Sequence, residues 1–325
     1  MIAYILRRLL YAVPILIGVN LLAFVLFFVV NSPDAMARMQ LGEKRVTAEA
    51  IQTWKQEHGY DKPLLYNDQA SGLERVTETI FFAKSVRLFA FQFGSSDDGR
   101  DIGYDISQRM WPSLAIAVPV LLVGLLVDIS LALFIVYFRA TYIDLVTVVT
   151  LVTMLSISGL FYIIGGQFLL GKLLHLAPIS GYDTGLQAWK FLILPVIVGV
   201  IGGIGSGTRW YRTLFLEEIG KDYVRTARAK GLGERLVLFG HVLRNALIPI
   251  LTGVVVVLPL LFMGSLISES FFGIPGLGSY TIDAISNQDF AIVRSMVFLG
   301  AVLYILGLIL TDIAYTLVDP RVRLQ

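Results

Sequence analysis

Six stretches of this chain are apolar enough to cross a lipid bilayer as helix, and they leave little room for any other fold. A span needs roughly 20 mainly apolar residues at the helical rise. The runs cover Leu9 to Val30, Pro112 to Phe138, Ile143 to Leu170, Phe191 to Gly207, Leu247 to Ser268 and Val293 to Val318. The fourth is interrupted by Pro195 and by Gly202, Gly203, Gly205 and Gly207. Only 15% of the residues are charged, where a soluble domain carries about 25%. The fold class expected is therefore an all-α integral membrane protein with six transmembrane helices.

Loop charge sets the expected orientation. Arg7 and Arg8 precede the first span and place the N-terminus in the cytoplasm; Arg321 and Arg323 place the C-terminus there too. The loop from Thr208 to Ala246 holds eight basic side chains against four acidic ones and falls inside. Residues 31–109 hold ten basic and twelve acidic side chains and fall outside. The expected organisation is thus span 1 within residues 1–30, a small extracytoplasmic domain over 31–109, and spans 2 to 6 over 110–325. In the outer segment Thr47 can cap a helix to Glu57 whose apolar face carries Ala50, Ile51 and Trp54. Val76 to Phe93 is aromatic but broken by Lys84 and Arg87, so it reads as a helix on the membrane surface or against the spans. The first apolar run is about twice the length of a leader's core, which makes it a span and not a cleaved signal, despite Ala35-Met36-Ala37 downstream.

Catalytic readings fail early. The chain has no cysteine, and its three histidines, His58, His175 and His241, are too scattered for a zinc motif. Ser156 and Ser158 lie in a span with no histidine in any span to activate them, so they read as small packing residues. Gly273-Ile274-Pro275-Gly276-Leu277-Gly278 is no phosphate loop, because no Lys-Ser/Thr pair follows it and it falls on the outer side. It reads as a tight or re-entrant turn. No ATP, metal or nucleic acid is expected on this chain.

Two polar features stand out. Asp128 lies midway along the second span, where an unpaired carboxylate is costly. It reads as a pathway-lining group for a cationic or amino-bearing solute, as a hydrogen-bonded packing residue, or as the mark of a span boundary that lies elsewhere. Asp312, nearer the end of the last span, reads as structural. The other feature is the charged stretch Glu217 to Leu232. Asp222 can cap a helix through Lys230, and Gly231 can stop it. Arg225, Arg228 and Lys230 spread over one side, and Tyr223, Ala227 and Ala229 give small or aromatic contact surface. By pattern alone this is either a docking helix for a soluble partner or a solvated basic loop.

The stretch Asp222-Tyr223-Val224-Arg225-Thr226-Ala227-Arg228-Ala229-Lys230-Gly231-Leu232, continuing to Arg244-Asn245-Ala246-Leu247-Ile248-Pro249, resembles the permease subunits of bacterial binding-protein-dependent ABC importers. The branch it is similar to is the first-type permease of dipeptide and oligopeptide systems, which also includes nickel and microcin-type peptide systems. Tyr4-Ile5-Leu6-Arg7-Arg8-Leu9-Leu10, Leu176 to Tyr182, Glu269-Ser270-Phe271-Phe272 with Gly273 to Gly278, and Asp312-Ile313-Ala314-Tyr315 through Asp319-Pro320-Arg321 match in order. The resemblance implies a multi-pass protein of the bacterial inner membrane that forms half of a translocation pathway, most naturally for peptides. It implies a second homologous permease, two cytoplasmic ATPase subunits carrying ATP and Mg, and an extracytoplasmic binding protein.

It also implies that Asp222, Tyr223, Arg225, Thr226, Ala227, Arg228, Ala229, Lys230, Gly231 and Leu232 couple to the ATPase. The family's Glu-Ala-Ala slots fall on Arg225-Thr226-Ala227, and its glycine on Gly231. His241-Val242-Leu243-Arg244 departs from the wider family's Ile-x-Leu-Pro, as is typical of the peptide branch. Ser158-Gly159 stands where the family usually has a proline, and Asp128 where the branch has small or apolar residues. The reading from another class is an autonomous ion-coupled secondary transporter or channel with Asp128 as its ion site.

Overall fold

The computed structural model describes residues 2–42, 47–185 and 187–318, with side chains from residue 7 to residue 314. Arg321, Arg323 and Asp319-Pro320-Arg321 lie outside the described residues, as do the side chains of Tyr4, Ile5, Leu6 and Tyr315. Among the described residues the only strand-like pairing is a bridge between Ser95 and Asp101.

The chain runs as helices α1 (Ile2–Phe24, continued by a π turn over Val25–Val30), α2 (Pro33–Leu41), α3 (Ala48–His58), α4 (Glu74–Thr77), α5 (Ile80–Lys84), α6 (Ile102–Tyr137), α7 (Tyr142–Ser156) and α8 (Gly159–Gly166). These are followed by α9 (Ala188–Ile219), α10 (Asp222–Ala229), α11 (Glu234–Leu236), α12 (Leu243–Val257), α13 (Leu266–Phe272), α14 (Leu277–Ser286) and α15 (Phe290–Val318).

Among the described residues five helical stretches are long and apolar enough to span a membrane: Arg7–Val30, Ile102–Tyr137, Ala188–Ile219, Glu234–Met263 and Phe290–Ala314. The third expected span is a sharply bent helix pair, the geometry of a broken span or of a re-entrant loop. Tyr142–Ser156 and Gly159–Leu173 meet at a bend of 91°, with Ile157 and Ser158 both extended at the break.

Several expected boundaries move; the second span begins at Ile102, not Pro112. The fourth span does not end at Gly207 but runs on to Ile219, and the fifth begins at Glu234 and ends at Met263, not Leu247 to Ser268. Much of the supposed Thr208–Ala246 loop is therefore helix end. Of the glycines that read as interruptions, Gly205 and Gly207 are close contact points, as is Gly199, whereas a Cβ on Gly203 would meet nothing within 4 Å. A Cβ on Gly199 would meet Val120 Cγ2 at 3.0 Å, and one on Gly205 would meet the Leu151 carbonyl at 3.0 Å. Small residues let membrane helices approach this closely.

The structure divides into two compact units, one of Met1–Arg109 with Tyr280–Ile309, the other of Met110–Ser279 with Leu310–Gln325. In the first, Phe24, Phe28, Met36, Ala37 and Ile80 are buried with Trp54 and Tyr60. Thr47 caps α3 by accepting from the Ala50 amide at 3.2 Å, and Ile51 and Trp54 face inward as expected while Ala50 is half-buried. The aromatic segment lies against the first span: Asn20 Nδ2 donates to the Ser85 carbonyl at 3.1 Å, and the Phe24 and Phe81 rings meet edge to face. In the second unit Phe215, Val224, Val237, Leu238, Val242 and Ala246 form a fully buried core.

Candidate functional site

The polar helix α10 is held by both ends and one face. Its N-cap is Lys221, not Asp222, and the Lys221 side chain makes no capping bond. Asp222 is the first helical residue, where its charge still favours the positive end of the helix dipole. At the other end Gly231 takes φ +81°. The Gly231 amide bonds to the Arg228 carbonyl at 2.9 Å, and the Leu232 amide reaches the Ala227 carbonyl at 3.3 Å. This is the Schellman arrangement, which requires a left-handed residue at that position. The expected stop at Gly231 therefore has a physical cause, and the helix ends at Ala229, one residue before Lys230.

The inward face of α10 carries Val224 and Ala227, fully or nearly buried against Phe215, Val237 and Val242. Ala227 is therefore part of this chain's own core and not a free contact surface. Tyr223 is half-buried, and its hydroxyl donates to Glu218 Oε2 at 2.6 Å. Burial, with the Glu218 bond next, pushes the Tyr223 phenol up to about 12, so it stays a protonated donor. Lys221 pairs with the other oxygen of Glu218. Arg228 turns onto Glu234 through Nε at 3.1 Å and Nη2 at 2.8 Å. Arg139 reaches the same carboxylate at 3.0 Å, so the α6–α7 loop and α10 share one counter-ion. The exposed face that remains is Asp222, Arg225, Thr226, Ala229 and Lys230, followed by Gly231 and Leu232.

Sequence reasoning did not single out Glu218, Glu234, Arg139 or the Arg212–Asp144 pair at 2.7 Å. Their only sequence signal is their sign. Partners on different helices leave no spacing to read.

Asp128 is buried at 9% exposure. Thr208 Oγ1 donates to its Oδ1 at 2.8 Å, and a Cβ on Gly207 would fall inside the carboxylate. The residue thus ties α6 to α9 at a point where only glycine fits. It also borders a cavity of about 560 Å³ lined by Gly199, Gly203, Ser206 and Trp210 among others.

The glycine-rich turn after α13 wraps a third carboxylate. Glu269, 1% exposed, accepts from the Ser265 amide at 3.1 Å, the Gly278 amide at 2.8 Å and the Ser279 amide at 3.1 Å. The Ser113 hydroxyl also bonds to Glu269 and accepts from the Leu277 amide at 2.8 Å. Burial pushes the Glu269 carboxyl up, and these donors oppose that shift. A Cβ on Gly264 or Gly276 would strike the carboxylate, which accounts for both glycines. Among the described residues no cluster of histidine and carboxylate side chains could hold a metal ion.

Residues 131–324 match the family described as binding-protein-dependent transport system inner membrane component, and residues 1–87 match the N-terminal family of the same systems. The chain belongs to this family. The permease is 30% identical to the dipeptide transport system permease protein DppB of Lactococcus lactis subsp. cremoris, over 100% of both chains. It is 28% identical to the oligopeptide transport system permease protein AppB of Bacillus subtilis, over 99% of this chain and 100% of that one. It is also 28% identical to the glutathione transport system permease protein GsiC of Salmonella choleraesuis, over 99% of each. The permease is thus a multi-pass inner-membrane subunit of an ABC importer, a transport component and not an enzyme. A subunit of this kind works with an ATPase and a substrate-binding partner.

Proposed function

We propose that this permease imports peptides, and that it does so as one half of a twelve-helix pathway completed by a second, homologous permease. Full-length similarity to proteins named for dipeptide, oligopeptide and glutathione transport supports that substrate class. Its N- and C-termini lie in the cytoplasm, the polar part of residues 31–109 lies outside, and a binding protein delivers solute on that side. Two ATPase subunits, which carry the ATP and Mg, dock on α10.

The observation that carries the docking reading is the construction of α10. An eight-residue helix is too short to be stable alone, yet this one is packed by Val224 and Ala227, tethered at Tyr223 and Arg228, and stopped at Gly231. A basic face is thereby held at a fixed angle to the buried core. Force applied to that face reaches α9 and the α6–α7 loop through Glu218, Glu234 and Arg139. ATP binding in the ATPases then biases the pathway between inward and outward access by binding one arrangement better. Asp128, bonded to Thr208 and seated on Gly207, serves as a helix staple at the edge of the pathway cavity.

Reconstitution of the full complex in liposomes tests the reading. Di- to oligopeptides presented with the binding protein are expected to stimulate ATP hydrolysis several-fold over the peptide-free rate. Stimulation by no peptide, or import by the permease alone under an ion gradient, overturns it.

A further inference from the structure

In the unit built from Met1–Arg109 and Tyr280–Ile309, a cavity of about 280 Å³ opens beside α5. Lys62, Lys84, Arg87 and Arg294 all line it, and no Asp or Glu does. Four cations around one small space repel one another and lose part of their hydration, an arrangement that is unfavourable unless an anion completes it.

Their existing partners leave that requirement unmet. Lys62 pairs with Glu78 at 3.3 Å on an open surface. Lys84 lies 5.0 Å over the Tyr60 ring, and neither it nor Arg87 forms an ion pair among the described residues. Burial chiefly, then the Arg294 and Arg87 charges, hold the Lys84 ammonium down at about 8, opposed by Asp97. Arg294 is 3% exposed, bonds to the Tyr60 hydroxyl and lies 5.3 Å over the Phe28 ring. Its Nε nonetheless has no hydrogen-bond acceptor among the described residues. Buried guanidinium donors are normally satisfied, so this orphan is a second, independent sign of a missing acceptor.

The rim fits an oxyanion ligand. Gln92, Gly94 and Ser95 line the cavity and are exposed, leaving it open on that side. Guanidinium forks match the oxygen spacing of phosphate better than that of a spherical halide. Phe89 and Phe91, 40% and 57% exposed, flank the same turn and offer apolar surface next to the charges.

We propose that Lys62, Lys84, Arg87 and Arg294 form a binding site for a phosphate group, carried by an anionic lipid headgroup or arriving as free phosphate. No part of the transport reading uses these residues, so the two stand or fall separately.

The full-length chain purified in detergent is the material for the test. Phosphatidylglycerol binding is read by native mass spectrometry, and inorganic phosphate by titration calorimetry. The unmodified chain is expected to bind at least one probe, with Arg87→Gln and Lys84→Gln each weakening binding about tenfold or more. Arg87→Lys, which keeps the charge, retains most of it, and Lys190→Gln, outside the cavity, retains all. Binding of lipid alone identifies a headgroup site; phosphate that binds and displaces lipid identifies a free-anion site. Binding of neither probe, or binding undiminished in Arg87→Gln and Lys84→Gln, overturns the proposal. Should Lys84→Gln fail to fold, the exposed Arg87→Gln decides.

Discussion

Arg228 and Glu234 lie on opposite sides of the turn that ends α10, yet the guanidinium closes on the carboxylate through two hydrogen bonds, at 3.1 and 2.8 Å. Both side chains are about a third exposed, at 34% and 32%, so screening limits the pair to about 1 kcal/mol of stability. Its larger effect is on the angle of the helix. Glu234→Ala is expected to leave membrane insertion intact and to cut peptide-stimulated ATP hydrolysis in the reconstituted complex several-fold. The exchange Arg228→Glu with Glu234→Arg recovers part of the loss if the pair itself matters, and a double-mutant cycle measures the recovery.

Gly231 separates backbone from bulk. A Cβ there meets nothing within 4 Å, but φ is +81°. Gly231→Ala is expected to cost about 1 kcal/mol and Gly231→Val more, while Gly231→Asn, which tolerates the left-handed region, is nearly neutral. Stimulated ATP hydrolysis is expected to follow the order Gly, Asn, Ala, Val. A uniform loss across all three variants would point to bulk at the docking face as the cause.

Gly207→Ala places a methyl group inside the Asp128 carboxylate and is expected to destabilise the detergent-solubilised protein by about 3 kcal/mol or more. Adding Asp128→Ala empties that space and restores much of the melting temperature. Asp128→Asn keeps an acceptor for Thr208 and is expected to preserve both stability and transport. Transport lost with stability intact would give the charge a role in the pathway.

Glu269→Ala strands the amides of Ser265, Gly278 and Ser279 without their acceptor. At about 1–3 kcal/mol for each buried orphan, the variant is expected to lose the fold of the Gly273–Gly278 turn. Protease cleavage within residues 273–279 reads the loss directly, and Glu269→Gln, which keeps part of the acceptor set, cuts more slowly.

Lys84 gives a pH signature. Its folded pKa of about 8 lies below the ordinary lysine value of 10.5, so between those values the unfolded chain binds more protons than the folded one. Stability from this group therefore rises as pH climbs from about 8 towards 10.5, and the full penalty is present below 8. In anion-free buffer Lys84→Met is expected to melt above the unmodified protein at pH 7, with the gap closing as pH rises through that window. Thermal denaturation across pH 7 to 10 checks it.

The spans were legible because one property, sustained apolarity, decides them. Their ends were not, because α9 carries Arg209 and Arg212 within its helix, and Asp144 neutralises Arg212 at 2.7 Å from another helix. The bend between α7 and α8 left only Ser158-Gly159 as a trace, since an extended residue at Ile157 has no sequence mark of its own. Gly231 could be read as a helix stop because the Schellman turn is local. Asp222 was misread as a cap because Ser/Thr/Asp/Asn preference ranks residue types and not register, and here the chain enters the helix one residue earlier. Ala227 looked like surface because its burial depends on Phe215 and Val242, which are distant in sequence. Glu269 was visible only as a letter in a motif; its cradle of three amides belongs to the folded turn.

The compact unit that contains α3 and α5 takes its last piece, Tyr280–Ile309, from beyond another 170 residues of chain. A ribosome adds about 5–20 residues per second, so roughly 10–30 s separate synthesis of Arg109 from synthesis of Tyr280. During that interval Phe27 has no Phe290 to meet, Phe89 no Phe298, and Tyr60 no Arg294. The segment up to Arg109 emerges early and matures late, and truncation before residue 280 leaves its unit without its closing helices.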